Sequence, residues 1–426
     1  MTVIGSALLA LPVATAAGQH TTLLDAVFTA TSAVSTTGLI VADTATRWST
    51  FGQIVILVLM QVGGFAFMTG STFFLLVLVG RRTSLSDRLR VQAAGTVPQL
   101  GKVTDLVRRV AIFTLVCELA GAVVLALAFL LDGTDLATAT WWGVFHSVSA
   151  FNNGGFDLFG GLRGLTGYAD TPSVLIPIGG LIVLGGLGYA IVGDAIAKRR
   201  WTSFALETKL VLVGTVLLVT LGAIGTASLE WSNPGTLGEM QPTDKVVNAL
   251  FHSISLRSAG FDSIHVGSLL DESLLLAIGL MFIGGASGST AGGVKINTLA
   301  VAIVASWSAV RGASAPAAFG RRIPEVTIYR AMAILIIAAI GAFGLALALQ
   351  LTGSQPFLQV LFETVSALGT VGVSTGLTTA FAPAGQVMLI VAMFIGRLGP
   401  LALVLALAQR SQPMTHRPAV EPVRIG

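Results

Sequence analysis

Apolar residues run through this chain in long blocks separated by short polar connections. Blocks of about 20 mostly apolar residues, the length a helix needs to cross a bilayer, occur near 3–18, 52–80, 106–131, 173–197, 207–229, 272–310, 327–351 and 385–409. They predict eight membrane-spanning helices. The first block is short and resembles a secretory signal ending in Ala14-Thr15-Ala16-Ala17-Gly18. A signal carries a positive leading region, however, and Met1–Gly18 has no lysine or arginine, so a first helix is expected instead.

Between the blocks a second pattern recurs. Each connection after an odd-numbered block carries Phe-x-x-x-Ser, with a glycine five or six residues beyond the serine: Phe28, Ser32, Gly38; Phe145, Ser149, Gly155; Phe251, Ser255, Gly260; Phe362, Ser366, Gly372. The copies lie about 110 residues apart, and self-similarity at a fixed period is a fold-level signal. Phe and Ser four apart share one helical face, so each copy predicts a short re-entrant helix followed by a turn. Irregular backbone survives at membrane depth only where protein or water covers it. The expected architecture is therefore an all-α integral membrane protein of four helix–pore-loop–helix repeats, with eight transmembrane helices and four re-entrant pore helices around a pseudo-fourfold axis. Residues 1–80, 81–197, 198–310 and 311–410 form the quarters, and 411–426 a cytoplasmic tail.

Composition excludes other classes. Hydrophobic residues make up 54% of the chain, charged residues 10%, and the mean hydropathy is +0.86, against about 25% charged residues in soluble proteins. A soluble, disordered or disulfide-built protein is ruled out, and the single cysteine, Cys117, reads as an inert buried thiol. The net charge of +4 is not a nucleic-acid footprint, because lysine and arginine gather in one set of loops. Arg81, Arg82, Arg88, Arg90, Lys198, Arg199, Arg200, Arg321 and Arg322 stand on one side; only Arg47, Arg163, Lys245 and Arg257 stand on the other. The positive-inside rule then places both termini in the cytoplasm. The outer side collects acids, among them Asp43, Asp157, Asp262 and Glu363, which suit a mouth that concentrates cations.

Four neutral glycine-bearing turns meeting on one axis would offer backbone carbonyls to a weakly hydrated monovalent cation, whereas divalent-selective pores tend to use carboxylate rings. The sixth block is interrupted by Gly284, Gly285, Ala286, Ser287, Gly288, Ser289, Thr290, Ala291, Gly292, Gly293, Val294 and Lys295. So many small residues predict a broken helix and a flexible loop at mid-membrane, able to block a conduit and swing away. Arg397 in the last block must face the interior or a water cavity, either as an electrostatic barrier bonded to that loop or in a structural ion pair with Glu118. Lys295 either snorkels to the cytoplasm or holds the loop shut. His146 and His252 read as packing histidines, and Arg257 as a brace behind its turn. No catalytic constellation is present, so an enzyme is not expected. A carrier of inverted repeats is the rival transporter class, but four repeats in one orientation favour a pore.

These motifs resemble the membrane subunit of the Trk/Ktr/HKT superfamily of potassium transporters over essentially the whole chain, with 'RSAGF' at 257–261 similar to the third filter loop and 'TVG' at 370–372 to the fourth. The resemblance implies K+ uptake across the plasma membrane through a filter with glycines Gly38, Gly155, Gly260 and Gly372, lined by the carbonyls of Thr36, Thr37, Asn153, Gly154, Ser258, Ala259, Thr370 and Val371. It implies that residues 284–295 and Arg397 form the gate. It favours the Ktr-type branch; a Trk-type subunit or a less selective K+/Na+ transporter of the same superfamily is the alternative, and Na+ dependence is left open. It also implies a homodimer and a cytosolic ring of nucleotide-binding regulatory subunits (KtrA/TrkA-like), for which residues 81–104, 198–206, 311–326 and the tail 411–426 are docking surfaces. The lipid bilayer is the other partner; no organic cofactor and no nucleic acid are expected.

Overall fold

The computed structural model describes residues 1–81, 100–313 and 315–399. Its helices are α1 (Thr2–Leu9), α2 (Leu23–Val34), α3 (Thr44–Arg47), α4 (Thr50–Arg81), α5 (Leu100–Leu131), α6 (Leu136–Phe151), α7 (Pro172–Lys198), α8 (Leu206–Glu230), α9 (Pro242–Ser255), α10 (Asp271–Met281), α11 (Ile296–Val310), α12 (Glu325–Gln350), α13 (Phe357–Leu368) and α14 (Pro383–Leu398). A two-residue antiparallel pair, β1 (Ala317–Ala318) with β2 (Arg321–Arg322), lies between α11 and α12.

Five of the described helices are long and apolar enough to cross a membrane: α4, α5, α7, α8 and α12. Of the other three expected spans, two differ and the last is described only in part. Over 3–18 the helix stops at Leu9, ahead of Pro12, whose ring cannot continue an α-helix. At 1.5 Å per residue, α1 is about 12 Å long and cannot span alone. The 272–310 block is split into α10 and α11 by the glycine-rich loop. In the last block α14 ends at Leu398 before the left-handed Gly399, and residues 400–409 lie outside the described residues.

The apolar pattern is inverted relative to a soluble protein. Val216, Leu217, Leu221 and Ile224 on α8 and Ile336, Ile340 and Phe343 on α12 are exposed, while Ser32, Ser149, Ser255, Ser366, Asn152 and Asn153 are fully buried. The centre is polar backbone and small hydroxyls; the outside is hydrocarbon-facing.

Four short helices surround that centre, and their starts are written locally. Thr22 and Asp25 exchange side-chain and backbone bonds in a capping box at α2. Asp135 accepts from Ala137 and Thr138 N–H at α6. Pro242 sits in the first turn of α9, where its missing N–H costs nothing, and Pro356 precedes α13. Their motif phenylalanines, Phe28, Phe145, Phe251 and Phe362, are at most 2% exposed. α2 packs against α4 and, from the far end of the chain, α14; α6 against α5 and α7; α9 against α8 and α7; α13 against α10, α12 and α14.

Candidate functional site

Each short helix ends in the same way. The N–H of the residue before each ring glycine bonds back to the carbonyl of the motif serine: Thr37 to Ser32, Gly154 to Ser149, Ala259 to Ser255 and Val371 to Ser366, at 2.8, 2.6, 3.0 and 2.8 Å. The residue before that is left-handed in all four loops, Thr36, Asn153, Ser258 and Thr370 having φ of 48°, 55°, 85° and 47°. The glycines follow at +90°, +70°, +79° and +96°. In the first, second and fourth loops, where the bond reaches back five residues, this is a left-handed helix stop of the Schellman kind; in the third it reaches back four. All four continue into a second positive φ that only glycine adopts without strain. The serine hydroxyls explain the motif spacing. Ser149, Ser255 and Ser366 donate to the carbonyls of Phe156, Phe261 and Val373, at 2.8, 2.6 and 2.6 Å. Ser32 and Ser366 accept from Gly38 and Gly372 N–H, each at 3.1 Å.

The four loops meet. A Cβ placed on Gly38 would lie 2.8 Å from the carbonyl oxygen of Gly154; on Gly155, 2.9 Å from that of Ala259; on Gly260, 2.7 Å from that of Val371; and on Gly372 it would strike that of Thr37. Each glycine therefore abuts the carbonyl before the next glycine, in the cyclic order 38, 155, 260, 372 and back to 38. Thr36, Thr37, Asn153, Ser258, Ala259, Thr370 and Val371 are all fully buried. Thr36 Oγ1, Thr370 Oγ1 and both amide atoms of Asn153 have no hydrogen-bond partner, so polar atoms crowd the centre unpaired.

Above the ring is a vestibule lined by the four glycines, Asp157, Asp262, Thr375 and others. Burial pushes the Asp157 carboxyl up to about 6, with the charge of Asp43 adding to it. Burial also holds the Asp262 carboxyl well above its ordinary range, with the charges of Asp157 and Glu363 contributing. Glu363 accepts from Ser374 Oγ, Thr375 N–H and Thr378 Oγ1 at 2.8, 2.8 and 2.5 Å, which braces the α13 loop. His146, at the matching place in α6, braces its own: Nδ1 lies 2.7 Å from Trp142 O, Leu158 N–H donates to Nε2 at 3.2 Å, and the ring stacks on Phe159. Donating through one nitrogen and accepting through the other is neutral imidazole chemistry, so His146 is a packing residue. His252 is buried beside its loop.

Below the ring lies the loop Gly284–Lys295. Gly292 N–H donates to Ser258 Oγ at 3.0 Å, and Ser258 Oγ in turn donates to Thr370 O at 2.9 Å; ring and loop are thus directly bonded. Ala286 N–H and Thr290 N–H bond the carbonyls of Gly186 and Gly185 at 2.9 and 3.2 Å, where α7 is kinked at Gly188, φ +74° and ψ +162°. Thr290 Oγ1 donates to Phe151 O at 3.1 Å. Arg257 Nη2 donates to Gly284 O at 3.3 Å, a brace from behind. Arg397 donates from Nη1 to Thr290 O at 2.5 Å and from Nη2 to Gly63 O at 3.0 Å, and forms no ion pair with Glu118, whose carboxylate accepts from Asn152 instead. Lys295 Nζ turns inward, onto the carbonyls of Ala291 and Gly292.

Sequence reasoning missed three contributors. The Gly185-Gly186-Leu187-Gly188 run that receives the loop was visible as a cluster of small residues. Gly63, a backbone acceptor, left no signal. Phe67 left none either; its ring lies under both Lys295 and Arg397.

An apolar helical shell around a buried centre of polar backbone and small hydroxyls is the build of a membrane transporter. The comparison with known proteins agrees: the TrkH family model, described as cation transport protein, matches residues 2–417, and the chain belongs to that family. It is 38% identical over 416 residues to Ktr system potassium uptake protein B of Bacillus subtilis (strain 168), covering 98% of this chain and 92% of that protein. It is 34% identical over 409 residues to potassium/sodium uptake protein NtpJ of Enterococcus hirae, covering 95% and 89%. The crystal structure of the potassium transporter TrkH from Vibrio parahaemolyticus superposes with a TM-score of 0.73 at 20% identity, covering 95% of this chain and 82% of that one, a likeness of fold.

Proposed function

We propose that this chain takes up K+ across the plasma membrane through the glycine ring, in the manner of a Ktr-type membrane subunit. The observation that carries the reading is the cyclic abutment of Gly38, Gly155, Gly260 and Gly372 against the carbonyls of Gly154, Ala259, Val371 and Thr37. Carbonyls converging on one axis replace a hydration shell, and the positive–negative–positive run of φ in each loop supports turning the carbonyls of Thr36, Thr37, Asn153, Gly154, Ser258, Ala259, Thr370 and Val371 toward it. The four-repeat division at 1–80, 81–197, 198–310 and 311–410 follows from the same reading. Residues 284–295, held by Arg397 and Lys295, act as the gate, closed in the arrangement described. The uptake names of the curated relatives support K+ as cargo, and that of NtpJ supports Na+ as a second ion.

Orientation follows the loop charges, with both termini cytoplasmic. Segments 198–206 and 311–326, whose described arginines Arg199, Arg200, Arg311, Arg321 and Arg322 are exposed, are then available to a cytosolic nucleotide-binding ring, and a homodimer fits the Ktr-type reading. Most of 81–104 and all of 411–426 lie outside the described residues.

The test is K+ uptake by a transport-deficient cell expressing the chain, measured with and without Na+. Restored K+ accumulation is the expected outcome; a Na+-stimulated rate assigns coupling. Failure to accumulate K+ with the protein correctly inserted overturns the reading.

A further inference from the structure

Besides Arg257 at Gly284, two cations reach the 290–292 stretch of the glycine-rich loop, Lys295 and Arg397, and neither has an anionic partner; among the described residues the ion pair present is Lys198 with Asp194, elsewhere. Arg397 is 8% exposed. An unpaired cation at membrane depth is costly unless dipoles or π faces replace its water, and two neighbouring like charges add repulsion. The loop carbonyls of Thr290, Ala291 and Gly292 supply part of that replacement. Gly63 O supplies a further share to Arg397, and one side chain serves both cations. The ring centroid of Phe67, on α4, is 4.8 Å from Lys295 Nζ and 4.4 Å from Arg397 Cζ, both within the range at which a ring quadrupole attracts a cation.

We propose that Phe67 is a positioning residue for the gate: its ring serves as a shared π seat for Lys295 and Arg397, holding the two cations where they clasp the 290–292 carbonyls and keep the loop beneath the filter. This rests on the gate reading of the loop. The geometry gives the seat a direction of action. Arg397 also bonds Gly63 O, one turn before Phe67 on the same helix, so it is tied to α4 twice. Lys295 belongs to the moving part, at the end of the loop and the N-terminus of α11. The ring therefore couples a fixed cation on α14 to a mobile one on α11 through a helix from the first quarter. Loss of the quadrupole leaves two like charges facing each other with less compensation, which favours departure of Lys295 and its loop.

The experiment is Rb+ uptake by the full chain in proteoliposomes, without any cytosolic partner. It compares Phe67 with mono-, di- and trifluorophenylalanine, with Phe67→Leu, and with Phe67→Tyr. Fluorination drains the ring quadrupole while nearly preserving shape, so it separates π attraction from packing. Expected are uptake rising stepwise with fluorine number, a rise of about tenfold for Phe67→Leu, near-native uptake for Phe67→Tyr, and no further effect of fluorination once Lys295→Gln and Arg397→Gln are both present. Flat uptake across the fluorination series, with Lys295→Gln or Arg397→Gln still raising flux, overturns the role of the ring and leaves the gate reading standing. Flux unmoved by either cation variant overturns both.

Discussion

Gly260→Ser puts the ring to its hardest test. Gly260 has φ +79°, a conformation that costs an L-residue about 1–2 kcal/mol. Its new Cβ would lie 2.7 Å from Val371 O, 2.9 Å from Gly155 Cα and 3.3 Å from Gly372 Cα, all inside the 3.4 Å at which ordinary contact begins. Every neighbour is backbone, so relief requires adjacent loops to shift rather than a side chain to rotate, and the nearest atom is itself a proposed ion ligand. Displacing one carbonyl of a ring by several tenths of an ångström changes ion preference by about 1–2 kcal/mol, or about 5- to 30-fold. The assay is Rb+ uptake with Na+ as competitor, comparing wild type, Gly260→Ser and Gly376→Ala. Gly376 has a similar φ of +91° but nothing within 4 Å of its Cβ, so it reports backbone strain without intrusion into the ring. Weakened discrimination in Gly260→Ser alone is expected. Unchanged selectivity in a correctly inserted Gly260→Ser protein would refute the claim that this backbone contacts the ion path.

Three further outcomes follow from named contacts. Arg397→Ala removes two charge-assisted bonds to Thr290 O and Gly63 O, each worth about 1.5–3 kcal/mol, and should raise uptake by about tenfold or more; reduced or equal flux removes the gating role. Ser366→Ala deletes the bonds to Val373 O and Gly372 N–H and should cost about 1–3 kcal/mol, read as a lower unfolding midpoint in detergent, with Ser366→Thr retaining part of the loss. The vestibule should also sense outer pH. Burial pushes the Asp157 carboxyl up to about 6, so its charge is present above that pH and lost as pH falls through it; the KM for K+ should rise between outer pH 7 and 5, and Asp157→Asn should show a raised KM with that step absent. Because the folded pKa of Asp157 lies above its ordinary 3.8, its contribution to stability runs the other way, fully present below 3.8 and lost as pH rises through about 6.

The short helices were legible because their signals are local. Phenylalanine and serine four positions apart, with a glycine beyond them, specify a helix and its left-handed stop without reference to the rest of the chain. The broken sixth block was legible for the same reason, since Gly284–Gly293 cannot sustain helix. The eight-span count was less faithful, because hydropathy does not register that Pro12 ends α1 at Leu9 or where a helix stops inside an apolar run. The two options for Arg397 could not be separated in sequence: a carbonyl acceptor such as Thr290 O or Gly63 O carries no residue signature, whereas Glu118 does.

The sequence by itself determined that the chain is a helical membrane protein with four matched glycine turns and one glycine-rich break, since composition, periodicity and φ demands are properties of neighbouring residues. Only the tertiary structure decided which atoms those turns present to each other: that Gly38 closes on Gly155 and Gly372, that Ser258 links ring to loop, and that Phe67 lies beneath two cations from distant helices. Those pairings join residues from 34 to 334 positions apart, largely through backbone atoms that every residue possesses, so side-chain identity along the chain could not encode them.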